Sequence, residues 1–118
     1  MNIQFDCLYR DAGNNKQTGA IIFSGEKVAN LDEVAHEIQK HLIDDAFFVA
    51  SEIGVPPLSF DSYDVNLDHE WHEYLGVSWT DTAPTVADDF DINSCIRLMR
   101  ESKKYQDELF GKKIKEGP

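Results

Sequence analysis

Residues 67–80 read LDHEWHEYLGVSWT and hold two of the four histidines and both tryptophans of the 118-residue chain. Apolar residues fall on odd positions along this segment, as in a β-strand with one buried face: Trp71, Leu75, Val77 and Trp79. Gly76 interrupts the pattern at a point where a β-bulge would fit. The segment therefore predicts a strand that carries Trp71 on its core side.

The same segment crowds candidate ligands and acid–base groups together: Asp68, His69, Trp71, His72, Glu73 and Tyr74. On a strand, residues an odd number apart face opposite ways, so His69 and His72 diverge. His69 then shares a side with Glu73, and His72 shares the other side with Glu70. One histidine and one carboxylate per side favour a hydrogen-bonded polar pair over a closed metal shell. We therefore treat these residues as a candidate binding or polar cluster, with no metal, cofactor or catalytic residue expected.

The alternative is a metal-binding protein or a hydrolase-type enzyme that uses Asp68, His69, His72 and Glu73. Histidine serves as acid or base near neutral pH, so the chemistry is available. The chain has no Gly-rich phosphate loop, no G-x-S-x-G elbow and no H-E-x-x-H motif to support it. Whether the two histidines serve chemistry or structure stays open at this point.

Two strands are predicted before the first helix. Apolar and polar residues alternate from residue 3 to residue 9, which predicts a half-buried strand. Residues 11–17 are rich in turn-forming Asp, Gly and Asn. The β-branched and aromatic segment 18–24 then predicts a second strand, paired antiparallel with the first.

Residues 31–43 predict the clearest helix. Asn30 is a good N-cap, and Glu33 completes a pair that resembles a capping box. Apolar residues repeat at the helical period and form one stripe: Leu31, Val34, Ala35, Ile38, Leu42 and Ile43. His36 and His41 fall off this stripe and are predicted at the surface.

The remaining segments are less regular. Residues 46–50 form a short apolar run that fits either a strand or a helical turn. Pro56 and Pro57 require an extended path. A second helix is predicted over residues 91–110, with Gly111 as its stop, and the C-terminus is predicted to fray at about 112–118.

These elements predict an α+β fold: an antiparallel sheet of three to four strands with two helices packed on one face. At 118 residues the chain is long enough to bury one hydrophobic core without disulfides or metals. No repeat or linker divides it, so residues 1–118 are predicted to form a single domain.

The distribution of charge is the strongest compositional signal. The net charge is −11, and residues 41–96 hold twelve acidic residues and no Lys or Arg. Residues 97–118 hold seven basic and four acidic residues. Such a field repels a phosphate backbone, so nucleic-acid binding is not expected. The acidic segment suits a basic protein partner instead. A solvent-exposed acidic face without a partner explains the same distribution of charge.

Other features indicate a cytoplasmic protein. The N-terminal residues show no secretory signal pattern. The longest apolar run is far too short to cross a bilayer, so no membrane partner is expected. Cys7 and Cys95 are far apart in sequence and lack a C-x-x-C spacing, which favours buried reduced thiols over a disulfide. The oligomeric state is not indicated.

Five short segments resemble the pattern of a family of small uncharacterised bacterial proteins: YRDA (9–12), LID (42–44), FF (47–48), GVP (54–56) and DHEWHEY (68–74). The resemblance spans roughly residues 5–100, and the DHxWHEF/Y pattern is its most specific part. It implies a conventional cytosolic bacterial domain. The family has no assigned activity, so no catalytic residue is carried over.

Overall fold

A computed structural model describes residues 1–11, 13–58 and 71–115. Its elements, in chain order, are strand β1 (Asn2–Arg10), strand β2 (Lys16–Phe23), helix α1 (Leu31–Lys40), strand β3 (Phe47–Val49), strand β4 (Trp71–Thr80) and helix α2 (Ile92–Lys115). A 3-10 turn at Ala50–Glu52 follows β3.

All four strands form one antiparallel sheet in the order β2-β1-β4-β3. Strand β1 occupies an inner position and alternates as the sequence predicts, with its odd residues in the core: Ile3, Phe5, Cys7 and Tyr9. It pairs with β2 from Ile3–Phe23 to Arg10–Lys16, which confirms the predicted hairpin.

Both helices pack on the same face of the sheet, which confirms the predicted α+β architecture. The Asn30 side chain caps α1 and accepts hydrogen bonds from the backbone N–H groups of Asp32 (2.9 Å) and Glu33 (3.3 Å). The helices and the inner sheet face contribute to one core: Val34 and Ile38 from α1, Ile92, Cys95 and Met99 from α2, and Phe5, Phe23 and Phe48 from the sheet.

Helix α1 ends at Lys40, three residues before the predicted end. Leu42 and Ile43 are still buried, because the chain turns back against the core rather than leaving it. His41 is only 15% exposed and lies 3.7 Å from Glu37, so the prediction of a surface residue is wrong for it. Burial lowers the pKa of His41, and Glu37 opposes that shift.

A tight turn after α1 decides the conformation of residues 46–50. Ile43 and Phe47 exchange two backbone hydrogen bonds, of 2.8 and 2.9 Å. Asp44 and Asp45 between them adopt positive φ angles of 50° and 59°, which the short polar side chain of Asp tolerates better than most residues. The reversed chain then enters β3, so the run is a strand followed by a 3-10 turn.

Helix α2 begins directly after Asp91, whose carboxylate accepts hydrogen bonds from the backbone N–H (2.8 Å) and the hydroxyl (2.9 Å) of Ser94. The Ser94 backbone bond is the main reason that the pKa of Asp91 is lowered. The helix continues through Gly111 to Lys115, so the prediction that Gly111 stops it is wrong. Glycine in a helix costs only about 1 kcal/mol and does not forbid it. Residues 116–118 lie outside the described range.

Both cysteines are buried free thiols, as the sequence predicts. Cys7 donates a weak hydrogen bond to the carbonyl of Gly19, and Cys95 donates one to the carbonyl of Ile53, each at 3.7 Å. Burial raises the pKa of Cys7 to about 11 and that of Cys95 to about 12. Within the described ranges, no helix is both long enough and apolar enough to cross a membrane.

Candidate functional site

The described part of the sequence-predicted cluster, residues 71–74, lies on the first half of β4, between β1 and β3. His72 is paired with Tyr9 of β1 on one side and with Phe48 of β3 on the other. Its ring lies 5.0 Å from that of Tyr9 and 5.5 Å from that of Phe48, with which it is stacked. Only 2% of His72 is exposed. This histidine therefore belongs to the core beneath the helices.

The His72 imidazole holds the chain that precedes β4. Its Nε2 accepts a hydrogen bond of 2.9 Å from the backbone N–H of Leu58, just after Pro57. An acceptor nitrogen carries its lone pair toward the donor, so the ring proton resides on Nδ1. The same lone pair is not available to a metal ion. The contact supports a structural role for His72.

Trp71 and Glu73 face the opposite side of the sheet, away from the helices. Trp71 packs beside Phe47, with ring centroids 5.6 Å apart. A pocket of about 230 Å³ on this side is lined by Leu8, Arg10, Phe47, Trp71 and Glu73. The prediction that Trp71 lies on the core side is therefore wrong.

The error has a specific physical cause at the bulge. Cys7 pairs with Tyr74 but Asp6 pairs with Gly76, so Leu75 is the extra residue. One extra residue reverses which side chains face the core. After the bulge, Val77 opposite Phe5 faces inward; before it, the inward positions are even. The sequence predicts both the alternation and a bulge near Gly76. Because the bulge exchanges the two faces, odd-numbered residues face the core only after it, and Trp71, which precedes it, faces outward.

The four described members of the cluster are divided between the two faces of the sheet. Tyr74 lies inward with its ring 5.3 Å from that of Phe5, and burial raises its pKa, with a further contribution from Asp6. Trp71 and Glu73 lie outward, and Asp68 and His69 fall outside the described residues. In the parts of the chain that are described, no three His, Cys, Asp or Glu side chains form a group able to hold a metal ion.

A second candidate site lies between the β2–α1 connection, α1 and the start of α2. Two pockets of about 140 and 310 Å³ share Lys27, Val28 and Asn93. We call their combined surface the acidic groove. Its apolar lining comes from Val28, Ala29, Val34, Ile92 and Ile96, and its carboxylates come from Glu26, Glu33, Glu37, Asp88 and Asp91.

The electrostatics of the acidic groove are one-sided. Five carboxylates line it, whereas Lys27 is the single Lys or Arg among the lining residues. Asp91 is engaged as the α2 cap and Glu37 lies beside His41. Glu26, Glu33 and Asp88 are exposed. The groove therefore combines an apolar lining with exposed negative charge, which suits a cationic and partly apolar ligand.

Sequence reasoning located only part of this groove. The acidic segment 41–96 includes Asp88 and Asp91, but Glu26, Glu33 and Glu37 precede that segment. The helical spacing of Glu33 and Glu37 indicates a shared face of α1. No local signal connects that face to the start of α2, because their proximity is a property of helix packing.

Comparison with models of known protein families, with curated proteins and with solved structures gives no match. The resemblance to a family of small bacterial proteins stays a prediction.

Proposed function

We propose that this chain is a small, cytoplasmic, non-catalytic binding or regulatory protein, of bacterial origin, that docks a basic segment of a partner protein in the acidic groove. The observation that carries the proposal is the groove itself, in which an apolar lining lies between five carboxylates. The net charge of −11 extends the same preference over the molecule.

The two components of the groove have different tasks in this proposal. Exposed ion pairs each contribute about 0–1 kcal/mol, so the carboxylates set the preference for a cationic partner and speed its approach. The accessible apolar residues Val28, Ala29 and Ile96 add to the affinity, since burial stabilises by roughly 25 cal/mol per Å². Lysine and arginine side chains suit both the carboxylates and the apolar residues of the groove, because their long aliphatic stems cover apolar surface while the charged end reaches the rim.

The enzyme alternative has less support among the described residues. His72 and Glu73 face opposite sides of the sheet, and the Nε2 of His72 is occupied by the Leu58 N–H. The pocket beside Trp71, of about 230 Å³, is lined in the described part of the chain by one carboxylate, Glu73, and by no histidine. Neither arrangement places an acid and a base around one reacting atom.

Calorimetric titration with a synthetic Lys/Leu peptide tests the proposal. The variant Glu26→Gln/Glu33→Gln removes two exposed carboxylates from the groove. The variant Glu101→Gln/Glu108→Gln removes two exposed carboxylates from α2 outside it and leaves the same net charge, so it is the matched control. We expect the groove variant to bind roughly threefold to tenfold more weakly at low salt, and the control to bind as the wild type does.

Two results would contradict the proposal. One is equal weakening in both variants, which would show that total charge rather than the groove governs binding. The other is affinity that does not change between low and high ionic strength, since contacts with an exposed acidic rim are screened by salt.

A further inference from the structure

Among the described residues, the second half of β4 (residues 75–80) has a strand partner on one side only. Strand β1 pairs with it as far as Thr80. Strand β3 covers Trp71–Glu73, and one more backbone bond joins Tyr74 N–H to the carbonyl of Ala46 at 2.9 Å. Beyond Tyr74, no backbone group among the described residues bonds the other side of β4. We call residues 75–80 on that side the open edge.

The other end of the sheet shows how this protein closes an edge. The outer side of β2 is met by Thr85, whose backbone N–H donates to the carbonyl of Ile22 and whose hydroxyl accepts from the Ile22 N–H, each at 2.9 Å. Lys16 adds charge at the far end of the same strand. Loops and lysines on an edge strand prevent further strands from adding.

The open edge has none of these deterrents. Its sequence, LGVSWT, contains no charged residue and no proline. Leu75 is 53% exposed and Trp79 is 39% exposed. The bulge at Gly76 is the one feature that bends it. An uncharged edge with exposed large apolar side chains is a template for an additional strand.

The side chain of Trp79, on the open edge, also lies close to the acidic groove. A Cβ atom on Gly25 would lie 3.0 Å from the Trp79 ring, so the ring packs directly on that backbone. Gly25 lies between Ser24 and Glu26, which both line the groove. A partner segment that leaves the groove at this end therefore meets the Trp79 side chain.

We propose that an extended segment of a basic partner protein adds to the open edge as a fifth strand. The charge of the partner rests on the proposed function, whereas the strand-addition mode rests on the unpaired edge. Asp81 follows Thr80 at the end of the open edge. Asp6 lies one strand further away, in β1, opposite Gly76, which has no side chain between that carboxylate and the edge. No Lys or Arg occurs from residue 41 to residue 96. Alternating basic and apolar residues match this surface, with the cations toward Asp6 and the apolar side chains toward Trp79.

A second copy of this chain fits the edge less well. Each copy carries a net charge of −11, so two copies that meet edge to edge repel one another. A basic segment lowers that charge instead. Strand addition by such a segment is stabilised mainly by main-chain hydrogen bonds, so many alternating sequences satisfy it.

A fluorescence titration in the variant Trp71→Phe, in which Trp79 is the remaining tryptophan, tests the proposal. The probe is a short alternating Lys/Val peptide. The control peptide has the same residues with every second amide N-methylated, so its charge is unchanged but one edge cannot donate hydrogen bonds. We expect the unmodified peptide to change Trp79 fluorescence and to bind roughly tenfold or more tightly than the methylated one. Hydrogen exchange should show new protection at residues 75–80.

The outcomes separate this proposal from the proposed function. Equal binding of the two peptides, without protection at residues 75–80, would overturn strand addition while leaving a basic partner in the groove. Absence of binding by both peptides and by the Lys/Leu peptide would overturn both proposals. A doubled mass by light scattering in the absence of peptide, with residues 75–80 already protected, would overturn the basic segment as occupant and assign the edge to a second copy.

Discussion

The two halves of β4 belong to one continuous strand and have opposite environments. Residues 71–74 lie between β1 and β3, and there a histidine is 98% buried, with 2% exposed. Residues 75–80 pair with β1 alone among the described strands, and there Leu75 is 53% exposed and Trp79 is 39% exposed. A polar ring is in the core while two large apolar side chains meet solvent. Position relative to neighbouring strands, rather than side-chain polarity, decides burial along this strand.

A single bulge separates the halves. Leu75 has no partner in β1. Even-numbered residues face the core before it, and odd-numbered residues face the core after it. Gly76 has a φ angle of 147°, a conformation that side-chain-bearing residues rarely adopt. The buried half contributes to the core, and the exposed half is the edge to which we propose that a partner strand adds.

The largest expected effect is that truncating the polar residue His72 destabilises the protein more than truncating the apolar residues Trp79 or Leu75. We expect His72→Ala to lower the free energy of unfolding by about 3 kcal/mol, because it removes stacked ring contacts and leaves the Leu58 N–H without its acceptor. Trp79→Ala should cost about 1–2 kcal/mol, and Leu75→Ala less than about 1 kcal/mol, since both side chains are already exposed. Urea denaturation measures all three. A Trp79→Ala variant less stable than His72→Ala would contradict the comparison.

The next effect concerns the junction itself. Gly76→Ala should lower the free energy of unfolding by about 1–2 kcal/mol, entirely through backbone strain. No atom lies within 4 Å of a Cβ built at this position, so steric overlap does not contribute. Gly13→Ala is the control, because its Cβ would meet only the side-chain atoms of Asn15 and Asp11. Equal, negligible costs for the two variants would show that the bulge tolerates ordinary residues.

A smaller effect should appear at alkaline pH in the buried half. Cys7 lies opposite Tyr74, and burial followed by Asp6 raises the pKa of Cys7 from 9.0 to about 11. The folded state holds this proton more tightly, so its stabilisation is complete below pH 9.0 and is lost as pH rises through about 11. We expect the titration of Cys7 to lower the free energy of unfolding by about 1 kcal/mol between about pH 8 and about pH 10.

Urea unfolding of the wild type and of Cys7→Ala at both pH values isolates this contribution, because Cys95 and Tyr74 titrate in both proteins. The decline should be shallower in Cys7→Ala. An equally steep decline would assign the alkaline sensitivity to groups other than Cys7.

The subtlest effect is a pattern of amide exchange in the free protein. Backbone N–H groups of an antiparallel strand point alternately to its two sides. Every second amide from Leu75 to Thr80 should therefore exchange roughly tenfold or more faster than its neighbours bonded to β1. The Tyr74 amide is the internal reference, since it is bonded to Ala46 at 2.9 Å. Uniform protection of residues 75–80 would mean that the open edge is already covered.

Local signals were sufficient for most of the fold. The alternation from Ile3 to Tyr9 predicted β1 and its buried face. Asn30 is predicted as the cap of α1, and its side chain accepts the expected backbone hydrogen bonds. Such signals succeed because a strand face or a helix cap depends on residues a few positions apart.

The candidate site was only partly predictable for the opposite reason. The sequence singled out His72 and Trp71 correctly as neighbours on opposite faces, but their environments were assigned the wrong way round. The acidic groove was not predicted, because its lining comes from residues 24–37 and 88–96, which meet only after α1 and α2 pack together.

The sequence by itself determined three of the four strands and both helices, the α+β class, the antiparallel hairpin, the buried thiols and the negative charge, since composition and short-range periodicity are properties of the chain. Only the tertiary structure decided which face of β4 enters the core, where β3 stops covering it, and which carboxylates share a groove. Those three features depend on the register of the bulge at Gly76 and on the short length of β3, which is three residues. A shift of one residue in register exchanges core and surface without changing the pattern of the sequence.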